Sequence, residues 1–457
     1  MTGRTAHSTA VLLLVLLFSW AGQATAAGPE FTLAEALKHV GSTAEVTAAE
    51  SALAEAHRGL ADALEPFDMS LGLSADKSFG GSSAGGQGDD GRLNAGLNFS
   101  ATLNLPGVGP QADAVTRAEN SVTRAEGSLS AARSQAVSDT VQQYLEILRL
   151  DDELAIAGKK RELADLELEA FRTMQAAGAA SELDELQAGI SAATAGNDEA
   201  SLTLQRNMAL TEFSQFLDIA LEPDTVFTQP EITGNPDALP AVDPERLRER
   251  DDVIEADLRT AEAALSVDAA RRATRPVADV SVNYSTSGEY LSTRLGASVN
   301  TNSFQPTFSV NTSLASSGSR AAEGGGTVSV SLGVTVPLGA ESRRSLESAE
   351  LSAVDAALAA EQTLIRARNE LRSRSDSLHS SETQLELTAD LLRQAELSLE
   401  RAEQRYAAGA IPAADLLRSE IAVDEARLQQ ARAEDNHLQA LLELARTLAI
   451  DPLEVIE

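Results

Sequence analysis

The 457-residue chain contains no cysteine. That excludes disulfides, thiolate metal sites, a cysteine nucleophile and a lipidated N-terminal cysteine. Beyond a short apolar run at positions 11–18, nothing approaches the roughly 20 uninterrupted apolar residues a membrane helix needs, so any passage through a bilayer falls to strands. Cations are scarce: 36 Lys and Arg stand against 69 Asp and Glu, a formal charge of −33. Such a chain repels a phosphate backbone, which argues against nucleic-acid binding. The acidity fits either a solvated surface or a negative lumen that favours cations. Catalytic signatures are missing too. The five His (His7, His39, His57, His379, His437) show no metalloenzyme spacing, no Gly-rich phosphate loop follows a strand, and there is no nucleophile elbow. His379 reads as a solvated or packed side chain, and Met at 1, 69, 174 and 208 forms no metal-binding cluster. No enzyme activity, cofactor or metal is expected.

What is present begins with a secretory signal. Residues 1–10 carry Arg4 and no acid, the apolar run follows, and Ala24-Thr25-Ala26-Ala27 offers a small-residue cleavage site. Removing residues 1–27 takes away Arg4 alone, together with the only Trp. The rest of the chain then repeats itself at one offset of 231: Ala118-Glu119 falls on Ala349-Glu350, Ile147 on Leu378, Ala176-Ala177-Gly178-Ala179 on Ala407-Ala408-Gly409-Ala410, Asp184 on Asp415 and Ile219 on Ile450. A shared register over more than 110 residues predicts two copies of one unit, each passing from strand pattern to long-helix pattern.

The strand patterns are uncharged and two-faced. Leu93 to Leu105 alternates Leu, Ala and Phe with Asn, Gly, Ser and Thr over thirteen residues, and Val328 to Val336 does the same in copy two. Shorter alternations run from Met69 to Ser74 and from Val280 to Ser285. Period two places one set on each face of a sheet. A soluble sandwich usually carries Lys, Glu and Arg on its wet face; Ser, Thr, Asn and Gly suit a wet interior behind a lipid-facing apolar face. The Gly- and Ser-rich stretches 80–91 and 315–326 suit outer loops. Pro66 and Pro276 differ by only 210, so copy two holds 21 extra residues, with alternating stretches at 291–300 and 304–314. These are read either as two more membrane strands or as a hairpin standing above the bilayer. The hairpin is favoured, because Pro306 cannot donate to a ladder.

From Glu341 to Ala408 no Pro or Gly interrupts the pattern, which predicts a helix of 68 residues, about 100 Å at 1.5 Å per residue. Leu364, Leu371, Leu378, Leu385, Leu392, Leu399 and Tyr406 recur every seven residues with small or polar partners three later, a supercoiling seam. Copy one keeps the length from about 111 to 177. Each long helix reverses at the matched Ala-Ala-Gly-Ala, where Gly178 and Gly409 suit a left-handed helix end. Ser181 with Asp184 has capping-box spacing, and copy two has Pro412 at a first-turn position with Asp415 close behind. These residues are either turn chemistry alone or an exposed tip that other proteins grip. Five prolines within 22 residues make 222–243 an extended linker rather than a core element.

The opening Phe31-Thr32-Leu33-Ala34-Glu35-Ala36-Leu37, the junctions at Pro66, Pro106-Gly107, Pro276 and Pro337-Leu338-Gly339, and the tip from Arg405 to Leu417 together resemble the TolC-like outer-membrane efflux protein family. The resemblance spans the whole mature chain. It implies a homotrimer in which each chain gives four strands to a shared 12-stranded barrel and its helices to one periplasmic tunnel. It also implies docking of the tips to a periplasmic adaptor of a tripartite pump or a type I secretion system, and through it to an inner-membrane transporter. Gly178, Asp184, Leu186, Gly409, Asp415, Leu416 and Leu417 carry over as docking or gating positions. The 21-residue insert departs from a simple two-strand hairpin, and copy one's tip lacks the counterparts of Tyr406 and Pro412.

The expected fold is therefore mainly α with a membrane β-barrel portion. Its expected parts are a signal peptide (1–27), an N-terminal helix (28–66), a β-hairpin (67–106), a long helical hairpin (107–221), the linker (222–243), a short helix (244–275), a second hairpin with the insert (276–338) and a second long helical hairpin (339–457). Four strands, or six, cannot close alone when the smallest membrane barrels have 8. A ring of three copies closes the edges with an even strand count. The competing reading is a periplasmic or surface coiled-coil protein with a soluble β region.

Overall fold

The computed structural model describes residues 30–78, 92–105, 107–230, 246–287, 291–315, 326–337 and 339–456. The signal segment, the loop 80–91, most of the second loop and of the proline-rich segment, and Pro106 lie outside these residues. In chain order the elements are β1 (Glu30–Phe31), α1 (Leu33–Lys38), α2 (Ala44–Leu64), β2 (Phe67–Ser78), β3 (Arg92–Leu103), α3 (Gly109–Ala176), α4 (Glu182–Leu217), β4 (Val226–Phe227), α5 (Asp251–Ala273), β5 (Val277–Ser287), β6 (Leu291–Asn300), β7 (Thr307–Ala315), β8 (Gly326–Thr335), α6 (Ala340–Ala407), α7 (Ala413–Thr447) and α8 (Pro452–Ile456). Helices α3 and α6 each have 68 residues, and both their ends lie 231 positions apart. Among the described residues no helix is long and apolar enough to cross a membrane.

Packing divides the chain into two units. One comprises residues 48–131 and 244–369, the other the remainder. The first unit is built on a single six-stranded antiparallel sheet, in the order β2-β3-β7-β6-β5-β8. This corrects two expectations at once. The sheet holds six strands rather than four, and residues 291–314 pair within it rather than standing apart as a protruding hairpin. Strand β7 pairs with β3 from Thr307↔Thr102 to Ala315↔Asn94, and β6 pairs with β5 from Asp279↔Asn300 to Ser287↔Ser292. Pro306 is compatible with this because it lies one residue before β7. Its missing N–H falls outside the ladder, while its carbonyl accepts from Leu103 N at 2.9 Å. The β6–β7 turn also meets the start of α3. Gly109 takes φ 64°, and a Cβ there would lie 3.1 Å from the Ser303 carbonyl oxygen, so glycine serves both the left-handed backbone and the close approach.

The second unit explains the opening segment residue by residue. Thr32 caps α1 in a reciprocal capping box with Glu35. Phe31, Leu33 and Ala36 face a core with Val141, Tyr144, Phe213, Leu217, Phe227 and Leu442. Tyr144 is fully buried, edge-on to Phe213 and Phe227, with its hydroxyl 2.6 Å from the Thr228 carbonyl and 3.0 Å from that of Phe31. Burial raises the Tyr144 pKa. The segment expected to be linker from residue 222 is corrected here. Val226–Phe227 form β4, paired in parallel with β1, and Phe227 is 6% exposed. Prolines at 223 and 230 bracket a strand too short for composition to reveal.

Candidate functional site

Two regions carry the functional possibilities, the sheet of the first unit and the helix turns of the second. In the sheet, register converts six separate alternations into continuous rungs. Ser70, Ser100, Ser309, Gly296, Asn283 and Ser329 form one rung across all six strands. One residue along, Leu71, Phe99, Val310, Leu295, Tyr284 and Val328 form the next, on the opposite face. The polar face is stitched by hydroxyl pairs: Ser70 with Ser100 at 2.6 Å, Ser281 with Ser331 at 2.6 Å, Ser285 with Thr327 at 2.8 Å and Ser292 with Ser313 at 2.6 Å. Among the described residues the apolar face has no cover: Leu71 is 65% exposed and Val330 70%. An uncovered apolar band opposite a hydroxyl-lined face suits lipid on one side and water on the other. Among the described residues, the two outer strands, β2 and β8, each keep one edge without a partner strand.

At the turns, both long helices end identically. Gly178 (φ 75°) donates its N–H to Gln175 O and Ala179 to Met174 O; Gly409 (φ 69°) donates to Tyr406 O and Ala410 to Arg405 O. This is the Schellman pattern, which needs the left-handed residue. The restarts differ. Ser181 caps α4, its N–H and hydroxyl donating to the Asp184 carboxylate at 2.9 and 2.8 Å, which holds that carboxyl below its ordinary pKa. Pro412 is the N-cap of α7 itself, one residue before the expected first-turn position, and makes no side-chain cap. Asp415 pairs instead with Arg418 Nη1 at 2.5 Å, and Arg418 also reaches Glu167 of α3.

Matched positions also have unequal surroundings. Leu417 packs against a cluster of Ile156, Ile421 and Leu428, and Leu416 is half-buried, so these side chains are largely engaged within the chain. The copy-one counterpart of Leu417 is open: Leu186 is 60% exposed, with Leu183 and Ile190 exposed beside it. Spacing alone could have flagged Arg418, three residues after Asp415, but not Glu167, 251 positions away.

A further group carries no signal along the sequence. Asp435 on α7 is half-buried, and desolvation pushes its carboxyl up to about 6 against the pull of Arg149, with Glu434 and Asp152 adding to the rise. Asp152 is itself raised, first by burial and then by Asp151 and Asp424. A folded pKa above the unfolded value gives stability that is full below about pH 4 and is lost as pH rises through 6. Asp435→Asn should therefore stabilise the helical part by about 1 kcal/mol at pH 7.5, discounted for solvent screening. The gain should fade toward pH 4. Thermal midpoints of the variant and the parent at the two pH values check this, and an equal gain at both would assign it to packing rather than ionisation.

Residues 244–449 match the family model described as outer membrane efflux protein. No curated protein matches the sequence. Among solved structures, the chain is similar to the outer membrane protein VceC of Vibrio cholerae at 19% identity, covering 91% of this chain and 96% of that one with a TM-score of 0.62. It is also similar to the CmeC outer membrane channel of Campylobacter jejuni (15% identity, 91% and 85% covered, TM-score 0.65). A third similar structure is the open state of the MtrE outer membrane channel of Neisseria gonorrhoeae (17%, 92% and 89%, 0.57).

Proposed function

We propose that this chain, whose residues 244–449 match the outer membrane efflux protein model, is the outer-membrane duct of an efflux or type I secretion system, conducting its cargo passively from periplasm to exterior. Three copies close one barrel in the outer membrane, and their helices line a periplasmic tunnel. An adaptor grips the helical turns, and an inner-membrane transporter supplies the energy. The observation that carries this reading is the pair of unbroken faces on the sheet, hydroxyl on one side and uncovered apolar on the other. In lipid, the free edges of β2 and β8 would leave backbone groups unpaired at several kcal/mol each. Six strands fall short of the smallest closed barrel. Strands β2 and β8 run in opposite directions, so head-to-tail copies continue the antiparallel order without a break.

Purified protein in a planar bilayer should show discrete conductance steps and migrate as a heat-modifiable trimer. A monomer that dissolves without detergent and never conducts would instead mark a soluble rod. The turns give a second test. Asp415→Lys breaks the exposed pair with Arg418, worth at most about 1 kcal/mol, yet reverses charge where docking is proposed. Efflux or secretion should fall while trimer yield stays at the parental level, and loss of trimer would show that Asp415 serves assembly instead.

A further inference from the structure

Strand β7 bonds to β3 on one side and to β6 on the other, and β6 continues to β5. Within the chain, β3 and β5 have no direct ladder; the sheet is continuous only through the inserted pair. The insert also obeys the parity of the wall. Ser309 and Gly296 fall on the polar rung of Ser100 and Asn283, while Val310 and Leu295 fall on the apolar rung of Phe99 and Tyr284. Its direction fits as well. Along the sheet, successive strands run alternately away from and toward the long helices, and the β6–β7 turn lies at the helix side, against Gly109. Its apolar side chains Leu295 (44% exposed) and Phe308 (53% exposed) are as uncovered as Leu97 of β3 and Val282 of β5 beside them (41% and 43%), which a hairpin standing in water would not explain.

Resting on the trimeric-duct reading, we infer that the closed wall holds eighteen strands, six from each of three copies, with β6 and β7 as full wall members. Barrel diameter grows roughly linearly with strand number, so the outer exit is about 1.5 times as wide as a barrel of four strands per chain. The inserted strands thus set the bore at the cell surface, and admit cargo of larger cross-section than a twelve-stranded exit would pass. Edges β2 and β8 meet those of neighbouring copies, so the second copy is the partner this surface fits.

The absence of cysteine makes the test direct, since any introduced thiol is the only one. Leu295→Cys, Val310→Cys and Ser309→Cys are each exposed, in outer-membrane preparations, to a charged and to a lipophilic maleimide. A wall position predicts that Ser309→Cys reacts with the charged reagent, whereas Leu295→Cys and Val310→Cys react at least tenfold faster with the lipophilic one. Equal labelling of all three by the charged reagent would overturn the inference. Bore is measured by adding polyethylene-glycol maleimides of graded size from outside to Ser281→Cys, on the polar face of β5, in the full chain and in a variant lacking residues 291–314. The full chain should accept a polymer about half again as wide, and an identical size limit would count against the wider exit. If the shortened variant does not assemble, the labelling pattern decides alone. An unheated gel separates the two levels of failure. A heat-modifiable trimer in which Leu295→Cys and Val310→Cys label from water sinks only the strand count, whereas loss of the trimer in the parent sinks the duct reading itself.

Discussion

Arginine in place of Val330 should reduce heat-modifiable trimer in the outer membrane by about tenfold or more, while arginine at the neighbouring Ser331 should leave it largely intact. The two positions are adjacent in β8 and opposite in face. Val330 is 70% exposed and shares its rung with Val282, whereas Ser331 hydrogen-bonds Ser281 on the polar face. A cation on the lipid face near the bilayer midplane costs about 2–4 kcal/mol, and every 1.4 kcal/mol is a factor of ten in the assembly equilibrium. Each subunit of a ring carries the same substitution, so the penalty recurs in every copy. On the polar face the guanidinium stays hydrated, and the loss is one hydroxyl pair at roughly 1 kcal/mol. Comparing heated and unheated samples of the two variants measures the contrast. Equal loss in both would mean that the sheet does not separate lipid from water, and a reversed order would put the faces the other way round.

Truncating Tyr144 to alanine should destabilise the helical unit by about 3–5 kcal/mol, the range for removing a buried aromatic ring. The ring is wholly enclosed and meets Phe213 and Phe227 with centroids 6.4 and 5.3 Å away. Its hydroxyl lies at hydrogen-bond distance from the carbonyls of Phe31, the last residue of β1, and Thr228, the first after β4. Tyr144→Phe keeps the ring and removes only the hydrogen bond, so its cost should be about 1–2 kcal/mol. Urea titration followed by helical circular dichroism compares the three proteins. If the phenylalanine variant were as unstable as the alanine one, the hydroxyl rather than the packing would be the larger contribution.

Much of this architecture is local and was therefore readable along the chain. A 68-residue helix needs only the lack of Gly and Pro at breaking positions and a repeating apolar stripe, and α6 begins and ends within one residue of the expected bounds. The turns at Gly178 and Gly409, and the Ser181–Asp184 capping box, are decided within a handful of residues. Alternation marked all six strands, including the two of the insert. Their place in the sheet is not legible from alternation, because Pro306 argues against a central strand along the sequence, whereas in the fold it ends a turn and uses its carbonyl, not its nitrogen.

What the residues determined alone was periodicity and its faces: which side of each strand is wet, where each long helix stops, and that the unit occurs twice. Which strand lies beside which was decided only by the tertiary structure, because ladder bonds join backbones that sequence pattern does not distinguish, and an inserted pair can extend a sheet or leave it with the same alternation. The same holds for Phe227 in the core, for Arg418 reaching Glu167, and for the raised carboxyl of Asp435. Each depends on neighbours brought together from distant parts of the chain, and burial and charge act through distance in space, not along the polypeptide.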